Sequence, residues 1–469
     1  MPPESSSKIK IVTLGCAKNE VDSEEIAGVL SGAGFEVDGR SKKTGVTIIN
    51  TCGFLEAAKE ESIRAIKDAV REKRAGRTEK VIVAGCLAQR LGSELAELAP
   101  GADLYVGVGQ MGRFDEIVRE SQGAPKMDRD QKIQVSAPHH RWADVPTRAR
   151  TGRPWSAYLK VSEGCDHKCT FCTIPSFRGG HQSKPLERVL EEARHLARTG
   201  AKELNLIAQD VTQYGYDLYK EFTLPRLLRE LNKVDGIEWI RLLYFYPNRL
   251  TDEVIETMAT CEKVLPYIDI PLQHAHPDTL RRMRRPWEGE RYMKLFEKVR
   301  AAMPDCSIRT TFIVGFPGET DEEFKYMIDF MKESRLDRVG AFLFSREPGT
   351  PSHDMDGQVS MKVKQERYDK LMRTQQKISL EMNQAWIGKR LNVLVDDKQD
   401  GWFIGRSHRD APEIDGMVFF QGEAEIGQIV PVEITKAEPY DLYGQSEGYV
   451  PKPGRRLVPL RQAGPIAPQ

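Results

Sequence analysis

The chain has 469 residues, 40% of them apolar, and carries 69 basic and 69 acidic side chains. That length suggests about three domains, and the balanced charge excludes a partner chosen by net charge alone. The opening MPPESSSKIK has no apolar run, and no stretch approaches the ~18 apolar residues of a membrane span, so a soluble cytoplasmic protein is expected.

The first segment, 8–140, alternates β-branched runs with amphipathic patterns. KIKIVTLGC (8–16), VTIINTC (46–52) and KVIVAGC (80–86) read as strands; 21–34 and 54–73 read as helices. Strand and helix alternating in this way imply a parallel sheet with helices on its faces. Each strand ends in a cysteine, Cys16, Cys52 and Cys86, one β-α unit apart. Ligands collect at the carboxyl ends of strands in open parallel sheets, so these three thiols are expected to converge on a cluster site.

Residues 141–154 hold four arginines and read as a solvated basic linker. In the second segment, 155–375, six strand candidates follow: 157–162, 203–210, 239–247, 267–274, 308–316 and 338–345. Helical patterns separate them. Six β-α units are too few for an eight-fold barrel and suit an open, partial (β/α)6 barrel with its site at the carboxyl ends of the strands. Directly after the first strand comes SEGCDHKCTFCTIP, with Cys165, Cys169 and Cys172 at C-x3-C-x2-C. The third segment, 385–447, has short strand-like pieces and glycine turns and reads as a small antiparallel barrel. A Pro- and Gly-rich tail, 448–469, is expected to be loose.

Eight cysteines are too sparse for a disulfide-stapled secreted protein. Six stand in the two trios; Cys261 and Cys306 stand alone and are expected to be buried structural thiols. Zinc sites usually close with four ligands, and His167 is an awkward fourth ligand inside so short a loop. Thiolates also hold 4Fe-4S clusters, where three ligands leave one iron open.

The C-x3-C-x2-C loop after the first strand of a partial barrel resembles the radical S-adenosylmethionine superfamily. That resemblance implies a 4Fe-4S cluster on Cys165, Cys169 and Cys172 whose open iron binds S-adenosylmethionine, with Phe171 near the adenine. GAKEL (200–204) falls where the superfamily has a glycine-glycine-glutamate motif, making Glu203 the expected contact of the methionine amino group; Ala201 and Lys202 depart from the pattern. Arg309, opening the fifth strand, is the expected partner of the carboxylate.

Over nearly its whole length the chain is similar to the methylthiotransferases: a three-cysteine α/β domain, a radical S-adenosylmethionine barrel and a TRAM β-barrel. The resemblance implies a second 4Fe-4S cluster on Cys16, Cys52 and Cys86, and a low-potential electron donor such as flavodoxin or ferredoxin. LGCAKNEVDSE (14–24), NTCGFLEAAKEES (50–62), LIAQD (206–210), YIDIPLQH (267–274) and RTTFIVGFPGET (309–320) resemble the RimO-type enzymes, which modify an aspartate of small-subunit ribosomal protein twelve, free or on the ribosome. The alternative type modifies an adenosine of the tRNA anticodon loop and reads GCQMN in the first motif. An electron-transfer or RNA-binding module is the alternative from another class. From 391 to 447 there are four basic and twelve acidic residues, a net charge of −8. Such a surface repels phosphate and attracts a basic protein, so nucleic-acid contact is expected to be secondary.

Overall fold

The computed structural model describes residues 8–446 except 40, 42, 124–127, 129, 130, 139, 141, 143–147 and 287; the expected loose tail lies outside the described residues. The first unit is a wholly parallel sheet of β1 (Lys8–Thr13), β2 (Glu36–Val37), β3 (Thr44–Thr51), β4 (Thr78–Gly85), β5 (Leu104–Val106) and β6 (Ile133–Gln134) in the order β2-β1-β3-β4-β5-β6. The three long strands expected are at its centre; three short ones extend its edges. β3 is buried along its whole length, as parallel strands covered on both faces are. Alternate residues face opposite ways. Ile48 and Ile82 pack with Ile26 and Leu30 of helix Ala17–Gly32, whereas Ile49, Val81 and Val83 pack with Ile66 and Val70 of helix Glu56–Arg74.

The second unit opens with β7 (Ser156–Lys160), then an antiparallel pair, β8 (Ser162–Glu163) and β9 (Gln182–Ser183), and continues with β10 (Glu203–Ile207), β11 (Trp239–Leu242), β12 (Tyr267–Asp269), β13 (Ser307–Val314) and β14 (Arg338–Leu343). Parallel pairing gives β7-β10-β11 and β12-β13-β14, and a bridge between Ile240 and Val264 links the halves into a six-stranded partial barrel. All six expected strands form, but most stop short of their hydrophobic runs. Tyr244 (φ 66°) and Gln273 (φ 73°) take left-handed backbone just beyond β11 and β12, a conformation incompatible with a continuing strand. Cys261 and Cys306 lie in the core of this unit, as expected.

A helix, Met361–Gln384, capped by Ser360, packs along β14 and leads to the third unit. β15 (Arg390–Gln399), β16 (Trp402–Arg406), β17 (Val418–Gln421), β18 (Ile429–Ala437) and β19 (Leu442–Ser446) close a barrel in the order β15-β16-β17-β19-β18. It is not purely antiparallel: β17 and β19 run parallel, because the directions of five strands in a closed ring cannot alternate all the way round.

Buried charges join the units. The stretch from Arg406 to Asp415 covers the amino-terminal ends of the barrel strands: Arg406 pairs with Glu203 (2.7 Å), Arg409 with Asp337 (2.9 Å), Asp410 with Arg338 (2.9 Å) and Asp415 with Arg309 (3.3 Å). The linker is only in part the expected solvated connector: residues 151–154 are exposed, but Arg148 is not. Arg148 is buried, bonded to Glu24 of the first unit and to Glu192 of the second (2.7 Å). Arg141 lies outside the described residues.

Candidate functional site

Cys16, Cys52 and Cys86 directly follow, or follow by a short turn, β1, β3 and β4, whose register sets Thr13 beside Asn50 and Thr51 beside Gly85. The three thiols therefore arrive at one sheet edge. Gly15 (φ 90°) shows how closely: a Cβ there would lie 2.6 Å from Cys52 Cβ and 2.9 Å from its Sγ. Gly85 (φ 93°), just before Cys86, has no more room, with Asn50 Oδ1 2.3 Å from a Cβ position. Both turns require glycine for the left-handed backbone and for space. Asn19 ties the corner together, donating to the carbonyls of Leu14 (2.7 Å) and Thr51 (3.1 Å).

Cys165, Cys169 and Cys172 occupy the loop after β8, at the carboxyl end of the barrel. Thr170 pins the loop, donating through Oγ1 to the Arg282 carbonyl (2.8 Å). His167 is not aimed at the thiols: its ring bonds Asp210 (2.7 Å) and stacks on Tyr246 with centroids 3.5 Å apart. Arg285 lies over Tyr246 and reaches Cys169 Sγ at 3.8 Å. Phe171 packs beside Met283, Phe316 and Phe344.

Arg178, in the short helix Ile174–Arg178 that follows Cys172, joins the second cysteine loop to the first trio. Its guanidinium is buried and donates to Cys86 Sγ (3.2 Å), Glu163 (3.0 Å), Asn19 Oδ1 (2.7 Å) and Asp22 (2.8 Å). Lys160 completes the ionic lattice with Asp22 (2.5 Å) and Glu163 (3.1 Å). Arg178 and the lattice were not singled out in the sequence; the signal was the arginine of SFRGG, six residues past the last cysteine.

All six cysteines are free thiols. Burial pushes Cys86, Cys165 and Cys172 up to about 12, and the pull of Arg178 on Cys86 is too weak to reverse it. A metal must therefore displace these protons to bind. Among the described residues, neither trio brings all three sulfurs within 4.8 Å of one another. Three soft donors per site, a guanidinium at each and no fourth protein ligand fit a 4Fe-4S cluster with an open corner.

Two expected contacts fall elsewhere. Glu203 stands at the amino-terminal end of β10, opposite the cysteine loop, and is buried between Arg406 (2.7 Å), Arg241 (3.2 Å) and Ser156 (2.8 Å). Burial alone raises its carboxyl, but the two arginines outweigh this and hold it at about 2. Arg309 is likewise committed, to Asp269 (2.7 Å) and Asp415. Both are seam residues. At the site-facing end of β10 stand Gln209 and Asp210 instead, bonded to Glu163 (3.3 Å) and His167.

Residues 159–331 match the radical SAM superfamily, 8–107 the uncharacterized protein family UPF0004, and 387–446 the TRAM domain. The chain is 45% identical over 438 residues to the ribosomal protein uS12 methylthiotransferase RimO of Moorella thermoacetica, covering 93% of this chain and 98% of that one. Its identity to the protein of the same name from Carboxydothermus hydrogenoformans is 43% over 442 residues, 93% and 99% of the two chains. Among solved structures, the radical S-adenosylmethionine methyltransferase TsrM from Kitasatospora setae shares the fold, with a TM-score of 0.56 at 14% identity over 84% of this chain and 79% of that one.

Proposed function

The chain belongs to the RimO family of ribosomal protein uS12 methylthiotransferases, and from that premise we propose how its two thiol trios serve the reaction. It is a radical S-adenosylmethionine transferase that adds a methylthio group to the β-carbon of an aspartate in uS12. Cys165, Cys169 and Cys172 would hold one 4Fe-4S cluster, and Cys16, Cys52 and Cys86 a second. When bound, the first supplies reductive cleavage of S-adenosylmethionine and hydrogen abstraction from the substrate carbon, and the second supplies a place for the sulfur that is methylated and transferred.

The observation that carries this reading is that one buried arginine, just after the Cys165–Cys172 loop, donates to Cys86 and so joins the loops of the two trios. Arg178 fixes their separation by holding Cys86, Asn19 and Asp22 of one unit against Glu163 of the other. Arg285 places positive charge on Cys169, and the His167–Asp210 pair and Tyr246 hold the cysteine loop in shape. Phe171, at the rim of that loop, is kept as the adenine neighbour. A low-potential donor such as flavodoxin or ferredoxin would supply the electron. No described helix is long and apolar enough to cross a membrane, in keeping with work in the cytoplasm.

Anaerobically reconstituted protein should hold about eight irons. Replacing either trio by alanine should leave about four. Loss of Cys165, Cys169 and Cys172 should abolish 5′-deoxyadenosine formation; loss of Cys16, Cys52 and Cys86 should spare it and abolish sulfur transfer. Full iron retention in the second variant would remove the second cluster from this scheme. Mass spectrometry of uS12 and tRNA from a deletion strain decides the substrate: the methylthio group should vanish from uS12, whereas its loss from a tRNA adenosine would overturn the choice.

A further inference from the structure

Lys18 lies two residues past Cys16, in the first turn of helix Ala17–Gly32, and is only 9% exposed. A buried ammonium normally has a carboxylate beside it, because desolvating a charge without a partner is costly. Among the described residues Lys18 has none: its one polar interaction is with the face of Tyr244, its Nζ 3.6 Å from the ring centroid. The carboxylate beside Tyr244 is already taken. Asp269 accepts from the backbone N–H of Tyr244 (3.1 Å) and pairs with Arg309 (2.7 Å).

The place of this ammonium is defined from both sides. Tyr244 sits just beyond the carboxyl end of β11, in left-handed backbone, and its carbonyl accepts from Val211 N–H (3.1 Å). Non-glycine residues held there are strained and cluster at functional sites. Two residues on, Tyr246 stacks on His167 of the second cysteine loop. The short run 244–246 thus reaches from the Cys16 side to the Cys165–Cys172 side. Cys16 is itself exposed, so the trio beside Lys18 opens outward there.

We propose that Lys18 binds the side-chain carboxylate of the substrate aspartate, with the Tyr244 ring as the floor of the subsite. An ammonium on that carboxylate holds the adjacent β-carbon between the two trios. It also selects an acidic side chain, since a neutral one leaves the buried charge unpaired. This inference rests on the uS12 reading above and adds to it the residue that recognises the target.

The test uses reconstituted full-length enzyme, uS12 from the same organism, and uS12 with the target aspartate changed to asparagine. Wild-type enzyme should bind the aspartate form about ten- to a hundred-fold more tightly. Lys18→Met should bind both forms equally, at the level of the asparagine form, with iron content and substrate-free 5′-deoxyadenosine formation unchanged. Lys18→Arg should keep most of the preference. A wild-type enzyme with no preference for aspartate overturns the proposal without recourse to a variant, as does a Lys18→Met enzyme that discriminates like the wild type. If wild-type enzyme leaves uS12 unmodified, the functional reading itself falls and this inference with it.

Discussion

Gly15 and Gly85 each place a cysteine by having no side chain. A methyl group at Gly15 would lie against Cys52 Cβ and Sγ in a backbone conformation that L-residues avoid. Gly15→Ala should therefore lower the iron of reconstituted protein from about eight toward about four while the barrel site still cleaves S-adenosylmethionine; an iron assay and 5′-deoxyadenosine yield check both halves. Glu203 makes the opposite point. Removing its charge should leave S-adenosylmethionine binding unchanged and destabilise the fold, because Arg241 loses its buried carboxylate and Arg406 one of its two. Breaking such a pair typically costs about 3–5 kcal/mol, which thermal melts of Glu203→Gln would register.

At the scale of elements, the amino-terminal strand ends carry stability and the carboxyl-terminal ends carry chemistry. β10 shows both: Glu203 starts it in the ionic seam, and Gln209 and Asp210 follow it beside the cysteine loop. The seam has a pH signature. Glu203 is held at about 2 against an ordinary 4.5, so it binds fewer protons folded than unfolded. Its stabilisation is complete above about pH 4.5 and is lost as the pH falls toward 2. Acid titration of the wild type should show unfolding in that window, and Glu203→Gln should flatten the dependence while lowering stability near neutrality.

At the scale of the whole molecule, the third unit is a structural plug as well as a surface. Removing 387–446 would uncover buried Glu203, Arg241 and Arg338 and half-buried Arg309, all held in charged pairs or hydrogen bonds across the seam. That deletion should impair folding and cofactor binding, not only substrate docking; soluble yield and iron content would show it. The acidic charge counted from sequence also divides in two. Asp396, Asp410 and Asp415 are consumed by Arg406, Arg338 and Arg309, and Arg406 and Arg409 are buried too. Asp400, Glu423, Glu425 and Glu433 are exposed. Reversing those four to lysine should leave a folded enzyme with weaker, less salt-dependent binding to uS12, whereas Asp396→Lys should fail to fold, as circular dichroism would report.

The sequence by itself determined the elements and set the six cysteines in two trios. Hydrophobic period and glycine position mark the strands, and cysteines recurring at strand ends or in one tight loop need only local geometry to converge. It could not determine which charges meet. Glu203, Arg309 and Asp396 read as a cofactor contact, a second contact and a surface charge, and all three lie in the seam, because pairing there joins residues as far as 203 positions apart. Arg178 and Lys18 are ordinary basic residues in sequence. Only packing the helix that starts at Ala17 against the barrel buries both, one ringed by carboxylates and one left with an aromatic face, and that difference in partners separates a brace from a candidate binding group.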